Sequence, residues 1–446
     1  MGTSNIESLP AVEAMARARA NELRRYPAPK RDGERLYPLA TPESRPSFTI
    51  SRDETIFAIG SCFARNVERA LGEAGMRVMS REHDLGEIGD SLDDAANFFN
   101  KYSIHSVLNE ITWALEREKF PGKDILYTGG KGAWFDAQLG MARLEFDQET
   151  ILEFRHKYLD AMKAVIEADV VILTLGYVET WYDRKLGLYL NVMPPMPAMK
   201  KEPDRFEFRV LSYDDVLKGL NALYALLSKH RKKPLKMLVT VSPVPLLATF
   251  RDMDVLVANA YSKSVQRAAL DEFVLGKEGV DYFPSYEFVI LSSPEVAWTR
   301  NDYRHVSPDL VDRIMGNVLS RYLPESAAAD ASITSEGLLA SAKMLQRVEK
   351  YDEVLALIDE HRGLADDEPD ILMLEATAAR RVKDLSKAWD ALVKVTEIDP
   401  ARPDALERMI TLCRPLGRRD EARQLMSRHE NAFPERDNFR GRVSWL

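Results

Sequence analysis

Residues 55–65 read TIFAIGSCFAR, and this stretch decides the fold. An apolar run of strand length passes through a Gly-Ser turn into a stretch of helical period, which predicts a strand, a tight turn and a helix. Gly60 permits the turn, so Ser61 falls at the N-terminus of the helix. Free backbone N–H groups and the helix dipole favour negative charge at that point. Ser61 is therefore a candidate nucleophile with a place for its oxyanion, and a simple helix cap is the alternative role.

The same alternation of short apolar runs and longer helical stretches continues to residue 325. Strands are expected at 55–59, 76–79, 170–175, 237–241 and 286–291. Helices are expected at 63–73, 103–116, 148–168, 213–230 and 257–275. The pattern predicts an α/β fold over residues 51–325, a doubly wound and mostly parallel five-stranded sheet whose ligands bind outside the carboxyl ends of the strands. Residues 1–50 are interpreted as a helix and an extended, Pro-rich arm.

After residue 322 the strand pattern ends and only helical periods remain. Residues 326–335 are rich in Ala and Ser and are interpreted as a linker to an all-α domain at 336–446. A period of 34 residues aligns Ala388 with Ala422 and Pro400 with Pro434, and this part resembles tetratricopeptide (TPR) repeats. A generic helical-hairpin domain is the alternative. The array is expected to bind a protein segment, to mediate self-association or to brace the α/β domain.

A second candidate site lies near the end of the α/β domain, where residues 302–308 read DYRHVSP. Asp302 and His305, three apart on a turn, can place the carboxylate against one imidazole nitrogen and leave the other for a serine hydroxyl. A solvent-exposed turn histidine is the alternative. Because this turn precedes the last helix and Ser61 begins the first, both can project from the same edge of the sheet.

Further blocks accompany these residues in order: TLGYVETW at 174–181, TVSPVP at 240–245 and NAYSKS at 259–264. Together with residues 60–64, which spell GSCFA, they resemble the GSCFA family, a relative of the SGNH (GDSL-like) hydrolases, over roughly residues 45–325. The resemblance implies acyl-ester chemistry with Ser61 as nucleophile, His305 as general base and Asp302 as the residue that orients the histidine. It also implies that the Ser61 backbone N–H donates to the oxyanion.

The third block departs from the SGNH pattern, which is Gly-x-Asn-Asp with the Asn side chain on the oxyanion. This chain has Val178 in the Asn place. Loss of one such donor raises the barrier by about 3 kcal/mol. Candidates for the missing donor or for substrate contacts are Gly60, Gly86, Gly89, Asn97, Asn100, Gly176 and Asn191.

Glu179 and Trp181 are two further candidates in the same block. Glu179 either orients an active-site group or binds substrate, and an ion pair with Arg184 or Lys185 is the alternative. Trp181 could stack on a sugar ring or serve as a core or rim aromatic. The residue types alone do not decide between these roles.

Cys62 also lies at the helix N-terminus, where a thiol is intrinsically the better nucleophile. On a helical turn the side chains of Ser61 and Cys62 point about 100° apart, so only one can face the histidine. The resemblance favours Ser61, and a small packing residue is the commoner role for a buried cysteine such as Cys62.

Composition excludes several classes of function. The net charge is −9 with both signs intermixed, so no nucleic-acid partner is expected. Two distant cysteines, Cys62 and Cys413, argue against disulfides and thiolate metal sites, and the histidines lack metal-binding spacing. With no long apolar run, no membrane span is expected and a cytoplasmic location fits best.

The sequence thus predicts a serine-dependent acyl-ester enzyme, either an esterase or an O-acyltransferase, that acts on small O-acyl groups of a carbohydrate or glycan. No cofactor is required, although a transferase would use a donor such as acyl-CoA. A homo-oligomer is compatible with the sequence. The alternative is a non-catalytic carbohydrate-binding or scaffolding protein whose TPR-like repeats recruit a protein partner.

Overall fold

The strand, turn and helix expected at residues 55–65 are present in the structure, a computed structural model. It describes residues 8–28, 35–82, 85, 99–130, 133–139, 146–299, 302–323, 334–347, 350–436, 439–443 and 445. Two compact units divide the chain: residues 1–293, 297–306 and 317–330 form one, and residues 294–296, 307–316 and 331–446 form the other. Each has its own buried apolar core.

The part of the chain before residue 323 contains both strands and helices. Its strands are β1 Thr55–Gly60, β2 Arg77–Val78, β3 Leu126–Gly130, β4 Ala133–Asp136, β5 Val170–Leu175, β6 Glu179–Asp183, β7 Leu188–Leu190, β8 Phe206–Val210, β9 Lys236–Val241 and β10 Val280–Tyr282. Its helices are α1 Ala11–Ala20, α2 Cys62–Glu73, α3 Ile104–Leu115, α4 Gln148–Met162, α5 Ala164–Glu167, α6 Met196–Lys201, α7 Tyr213–His230, α8 Val255–Val274, α9 Ser285–Ile290, α10 Pro294–Ala297 and α11 Pro308–Tyr322.

The main sheet has five strands in the order β10-β9-β5-β1-β2, and every pair in it is parallel. All six residues of β5 are buried, as expected for a central strand covered by helices on both faces. The register pairs Gly60 at the end of β1 with Thr174 near the end of β5. The predicted α/β architecture is confirmed, and the carboxyl ends of β1 and β5 lie side by side.

One local prediction was wrong, and two others were right in the type of element but not in its extent. The apolar run at 286–291 is helix α9 rather than a strand, and the fifth strand is the shorter segment Val280–Tyr282, which pairs with residues 237–239. Periodicity cannot separate a short buried strand from a short buried helix, and this run met both patterns. The expected strand at 76–79 shortens to β2 before a 3-10 turn at Met79–Arg81, and the expected helix at 148–168 breaks at Lys163.

Two small antiparallel sheets were not predicted at all. β3 pairs with β4, and a three-stranded sheet has the order β7-β6-β8. The second sheet begins immediately after the TLGYV stretch, so it carries Glu179 and Trp181 on β6. These short strands lie between longer helical periods, where their alternation was too brief to stand out.

The C-terminal part is helical throughout the residues that the structure describes. Its helices are α12 Ser335–Arg347, α13 Tyr351–Glu360, α14 Arg362–Ala365, α15 Pro369–Arg381, α16 Leu385–Ile398, α17 Pro403–Leu416, α18 Arg419–Ala432 and α19 Phe439–Arg442. Helices α12, α15 and α17 begin 34 residues apart, as do α13, α16 and α18. Ala388 and Ala422 are buried where paired helices meet, as small residues at close contacts should be. The spacing suggests TPR-like helix pairs.

Replacing Gly60 by alanine tests how strongly the turn after β1 constrains the fold. Gly60 has φ of +135°, and an added Cβ would lie 2.0 Å from the Thr174 carbonyl oxygen. Strain and clash together are expected to lower the free energy of unfolding by about 3 kcal/mol or more, measured from urea denaturation.

Gly276→Ala is the matched control, because Gly276 also has positive φ, +70°, but nothing lies within 4 Å of its added Cβ. It should cost about 1 kcal/mol, the strain of the backbone alone. Equal losses for the two variants would contradict the constraint assigned to Gly60.

Candidate active site

Ser61 caps helix α2, and its polar groups are engaged with the protein. Its hydroxyl accepts the Phe63 N–H at 3.3 Å and lies 3.2 Å from the Thr174 hydroxyl. Its own N–H donates to the Thr174 carbonyl at 2.9 Å, and the residue is 2% exposed. The helix-cap role is therefore present. The Ser61 N–H expected to bind the oxyanion already has an acceptor, which corrects that expectation.

The structure pairs Asp302 with His305. One carboxylate oxygen of Asp302 accepts the N–H groups of Arg304 at 2.9 Å and of His305 at 2.8 Å, and the other bonds His305 Nδ1. The His305 and Arg304 amides and the imidazole hold the pKa of Asp302 far below its usual range, so the carboxylate stays ionised. His305 is 64% exposed, and within the described residues its Nε2 has no hydrogen-bond partner. The imidazole is oriented with Nε2 open to a substrate.

The backbone around this pair forms a closed loop. Trp298 and Val306 make an antiparallel bridge, and the Thr299 N–H donates to the His305 carbonyl at 2.9 Å. These contacts position Asp302 and His305 as a unit within the loop. In the described part of the chain, neither side chain hydrogen-bonds to Ser61.

Cys62, the first residue of α2, lies among charged and aromatic groups. The cations of Lys263 and Arg304 lower the pKa of the half-buried Cys62 thiol, against the larger effect of burial, which raises it. Tyr102 and Tyr177 stack with ring centroids 5.1 Å apart, and both interact electrostatically with Cys62 and Arg304. Arg304, from the loop that carries Asp302 and His305, therefore belongs to the group of charges around the N-terminus of α2.

Lys263 extends from α8 to the ends of two central strands. Its ammonium donates to the carbonyls of Gly176 at 2.7 Å, Ser242 at 2.8 Å and Val244 at 2.8 Å. Burial lowers the pKa of Lys263 to about 7, while the three carbonyl acceptors favour the ammonium form. The charge therefore holds together the segments that follow β5 and β9, directly beside Cys62.

Residues 55–317 match the sequence profile of the GSCFA family, which is more than half of the chain. The chain belongs to the GSCFA family. The resemblance predicted from residues 60–64 and the later blocks is thereby confirmed. No curated protein and no solved structure matches the chain.

In this GSCFA domain, three oxyanion candidates among the described residues, Asn100, Gly176 and Asn191, have structural partners. Asn191 accepts the Tyr102 N–H at 2.8 Å and donates to the Asn100 carbonyl at 2.8 Å, so it braces the chain at 100–102 rather than offering a free donor. The Asn100 side chain hydrogen-bonds the Tyr102 hydroxyl. The Gly176 N–H donates to the Tyr102 carbonyl at 3.2 Å. Gly86, Gly89 and Asn97 lie outside the described residues.

Val178 packs in the apolar core and is fully buried. Its N–H donates to the Ser262 hydroxyl at 3.0 Å, so neither its side chain nor its amide faces a substrate. The position that carries the oxyanion asparagine in SGNH enzymes thus has a packing role in this GSCFA domain.

Glu179 and Trp181 lie on β6, the central strand of the β7-β6-β8 sheet. Glu179 accepts the Thr249 hydroxyl at 2.7 Å and the Phe250 N–H at 3.2 Å, so it anchors the loop after β9. Trp181 meets Phe208 and Phe250 edge to face, with centroids 5.6 and 5.2 Å away. It is a rim aromatic in a packed cluster.

Among the residues that the structure describes, no group of three or more His, Cys, Asp or Glu side chains is arranged to hold a metal ion. Nor is any helix among them long and apolar enough to cross a membrane.

Sequence reasoning did not single out Arg304 or Tyr102. Arg304 lies within the quoted DYRHVSP stretch, but an arginine on a turn is ordinarily a solvated charge. Tyr102 follows the polar pair Asn100 and Lys101 and has no local motif. Only tertiary structure brings both to the N-terminus of α2.

Replacing Lys263 by methionine tests the buried ammonium. Three carbonyls would lose their donor, which is expected to lower the free energy of unfolding by about 3 kcal/mol or more at neutral pH. Lys277→Met is the control, since Lys277 is less buried and its ammonium bonds a single carbonyl, that of Phe273. A Lys263→Met variant as stable as Lys277→Met would refute the stabilising role of the buried Lys263 ammonium.

The same pair of variants carries a pH signature. Burial lowers the pKa of Lys263 from its ordinary value of 10.5 to about 7, so between these values the unfolded chain binds the extra proton. Stability of the wild type should therefore rise relative to Lys263→Met as pH increases from about 7 to 10. Urea midpoints at several pH values measure the difference, and a difference that shrinks with pH would contradict it.

Proposed function

We propose that this GSCFA domain is an acyl-ester enzyme, an esterase or an O-acyltransferase, whose nucleophile comes from the Ser61–Cys62 turn. The observation that carries the proposal is the Asp302–His305 pair, an imidazole oriented by an ionised carboxylate with Nε2 open. Such a pair is the arrangement of a general base. Arg304, which directly precedes His305, acts electrostatically on Cys62. This supports a role of His305 as the base for a nucleophile at the start of α2.

The chemistry follows the order of covalent catalysis. The nucleophile attacks the ester carbonyl carbon while its proton moves to His305 Nε2. The tetrahedral intermediate collapses, and the leaving alcohol takes that proton. Water or a sugar hydroxyl then attacks the acyl-enzyme with His305 as base, which gives hydrolysis or transfer respectively. Asp302 keeps the imidazole oriented and stabilises the imidazolium.

Small O-acyl groups on a carbohydrate or glycan are the proposed substrate class. The stacked Tyr102–Tyr177 pair beside Cys62 and the exposed ring of Tyr303 next to His305 would suit the faces of a sugar. Transfer would need a donor such as acyl-CoA, and hydrolysis needs only water. A cytoplasmic location remains a prediction.

A non-catalytic carbohydrate-binding or scaffolding role is the second candidate. The packing role of Val178 favours it, because the side-chain oxyanion donor of SGNH enzymes is missing from the place where it would act. In that case, the ordered Asp302–His305 pair would have no chemical purpose, which is why the enzyme is preferred.

Removing the base tests the proposal. His305→Ala should lower kcat/KM for p-nitrophenyl acetate by about 100-fold or more, because general-base catalysis contributes that much. Asp302→Asn should lower it less, since the imidazole remains.

His361→Ala is the control, a partly exposed histidine in the helical unit. Absence of turnover in the wild type with p-nitrophenyl acetate and with acetylated sugars, with or without acyl-CoA, would exclude the enzyme in favour of the binding role. Equal activity of wild type and His305→Ala would exclude His305 as the base.

A further inference from the structure

We propose that Cys62, rather than Ser61, supplies the nucleophile of this site, and that the Cys62 backbone N–H donates to the oxyanion. The proposal rests on the proposed acyl-ester function and names its reacting atom. It reverses the preference for Ser61 drawn from the sequence, and four features of the structure carry it.

The first feature is the orientation of Ser61. Its hydroxyl is held between the Phe63 N–H and the Thr174 hydroxyl, and the residue is 2% exposed. These contacts turn the side chain back toward the end of β5. To attack a substrate, Ser61 would have to abandon its cap, a loss of about 1 kcal/mol, and its bond to Thr174 as well.

The second feature is the surroundings of the thiol. Ser61 is the N-cap with extended backbone and its hydroxyl lies against Thr174, whereas Cys62 is the first residue of the helix itself. Cys62 is half-buried and interacts with Lys263, Arg304 and the two stacked tyrosines. Arg304, which directly precedes His305 in the chain, is near enough to act electrostatically on the thiol.

The third feature is the oxyanion donor. The N–H of Ser61 is bonded to Thr174, but the N–H of Cys62 is the first of α2 and has no acceptor within the helix. Within the described residues it interacts with the sulfur of its own side chain, which is a weak acceptor. A nucleophile's own amide at a helix N-terminus is directed at the carbonyl that it attacks. The Nε atom of Arg304 is buried and has no hydrogen-bond partner among the described residues, so it offers a second donor to a bound acyl group.

The fourth feature is the need for a base. Burial raises the pKa of the Cys62 thiol more than the two cations lower it, so the resting group is a neutral thiol. A neutral thiol requires a proton acceptor, which His305 Nε2 provides. The S–C bond forms as the proton moves to Nε2, and the ester C–O bond breaks as the leaving alcohol takes that proton. Water or an acceptor hydroxyl then cleaves the thioester, its proton passes to Nε2, and the thiolate regains a proton from there.

Trapping the acyl-enzyme tests the assignment. Full-length protein is mixed with p-nitrophenyl acetate, and the adduct is located by peptide mass spectrometry and treated with neutral hydroxylamine, which cleaves thioesters. We expect a labile acetyl group on Cys62 in the wild type and in Ser61→Ala. Cys62→Ala should lose about 100-fold or more in turnover, as removal of a nucleophile does, while Ser61→Ala should retain turnover within about tenfold.

Cys413→Ala is the matched control, since Cys413 is the second cysteine and is buried in the helical unit. It should leave acylation unchanged. Iodoacetamide should alkylate Cys62 before Cys413, and His305→Ala should slow that alkylation at neutral pH. Circular dichroism and the urea midpoint show whether each variant is folded.

The outcomes distinguish the identity of the nucleophile from the acyl-ester function itself. A hydroxylamine-resistant ester on Ser61, with turnover retained in Cys62→Ala, would overturn this proposal and leave the acyl-ester function intact. No adduct and no turnover in the wild type with any ester or acyl-CoA would overturn both.

A separate observation concerns the helical unit, and we infer that it binds an acidic peptide segment of a partner protein. A groove of about 610 Å³ lies among α15, α16 and α17. Four cationic side chains line it: Arg380, Arg381, Lys383 and Arg408. No carboxylate lines it, and its remaining lining residues are apolar except Thr377.

Several basic side chains near the groove form ion pairs, but in the described part of the chain the four groove cations do not. Other basic side chains of the unit pair with carboxylates: Lys387 with Asp359, Lys394 with Asp366, and Arg402 with Asp370. Within the described residues, none of the four groove cations forms a salt bridge, and Arg408 bonds only the neutral Thr377 hydroxyl and Met373 carbonyl. Because the whole chain carries a net charge of −9, a cationic groove is a local exception suited to carboxylates.

Fluorescence anisotropy with a dye-labelled octa-glutamate peptide tests the groove on the full chain. The double variant Arg380→Glu/Arg408→Glu should weaken binding by more than tenfold, and added salt should weaken wild-type binding. Arg428→Glu, an exposed arginine on α18, is the charge-matched control and should bind as the wild type does. Equal binding of an octa-glutamine peptide, or unchanged binding by the double variant, would overturn the inference.

Discussion

The candidate site depends on the close approach of β1 and β5 at Gly60. Only a glycine can lie there, because its φ is +135° and a side chain would collide with the Thr174 carbonyl. That approach lets Thr174 accept the Ser61 N–H, and it lets the Gly60 carbonyl accept the Lys101 N–H at 2.6 Å. These two hydrogen bonds fix the end of β1, the end of β5 and the segment at Lys101 next to the start of α2. Within the described residues, the first N–H of the helix without a backbone acceptor then belongs to Cys62.

A buried charge cluster supports the segment at 100–102. Lys101, Glu110, Asp136 and Arg155 are fully buried, with ion pairs of 3.0 to 3.5 Å between them. Removing one partner from such a cluster leaves an uncompensated charge in the core, a loss of about 3–5 kcal/mol. Tyr102 follows directly and presents its ring to the site, while its carbonyl accepts the N–H groups of Gly176 and Tyr177. The buried charge cluster therefore fixes the position of Tyr102 in the candidate site.

A structural feature could be predicted from the sequence when the residues that determine it lie close together in the chain. β5 was predicted to the residue, because six consecutive apolar or small residues between Asp169 and Gly176 admit few alternatives. The Asp302–His305 contact was predicted because it spans three residues. The choice between Ser61 and Cys62 as nucleophile could not be predicted from the sequence. It depends on Thr174, Lys263 and Arg304, which come from distant parts of the chain. The run at 286–291 failed for another reason: its apolar residues fit a helix as well as a strand.

The distribution of charge around Cys62 explains why a neutral resting thiol suits this fold. Lys263 acts electrostatically on the thiol and is held by three carbonyls, whereas ionised Asp302 pairs with the exposed imidazole of His305. A permanent thiolate would be costly, because the effect of burial on the thiol outweighs that of the two cations. When the proton passes to the imidazole, the new negative charge forms near Lys263 and the new positive charge forms against Asp302. Both charges that develop during the proposed reaction thus meet groups of opposite sign that are already in place, so little reorganisation is needed at the moment of proton transfer.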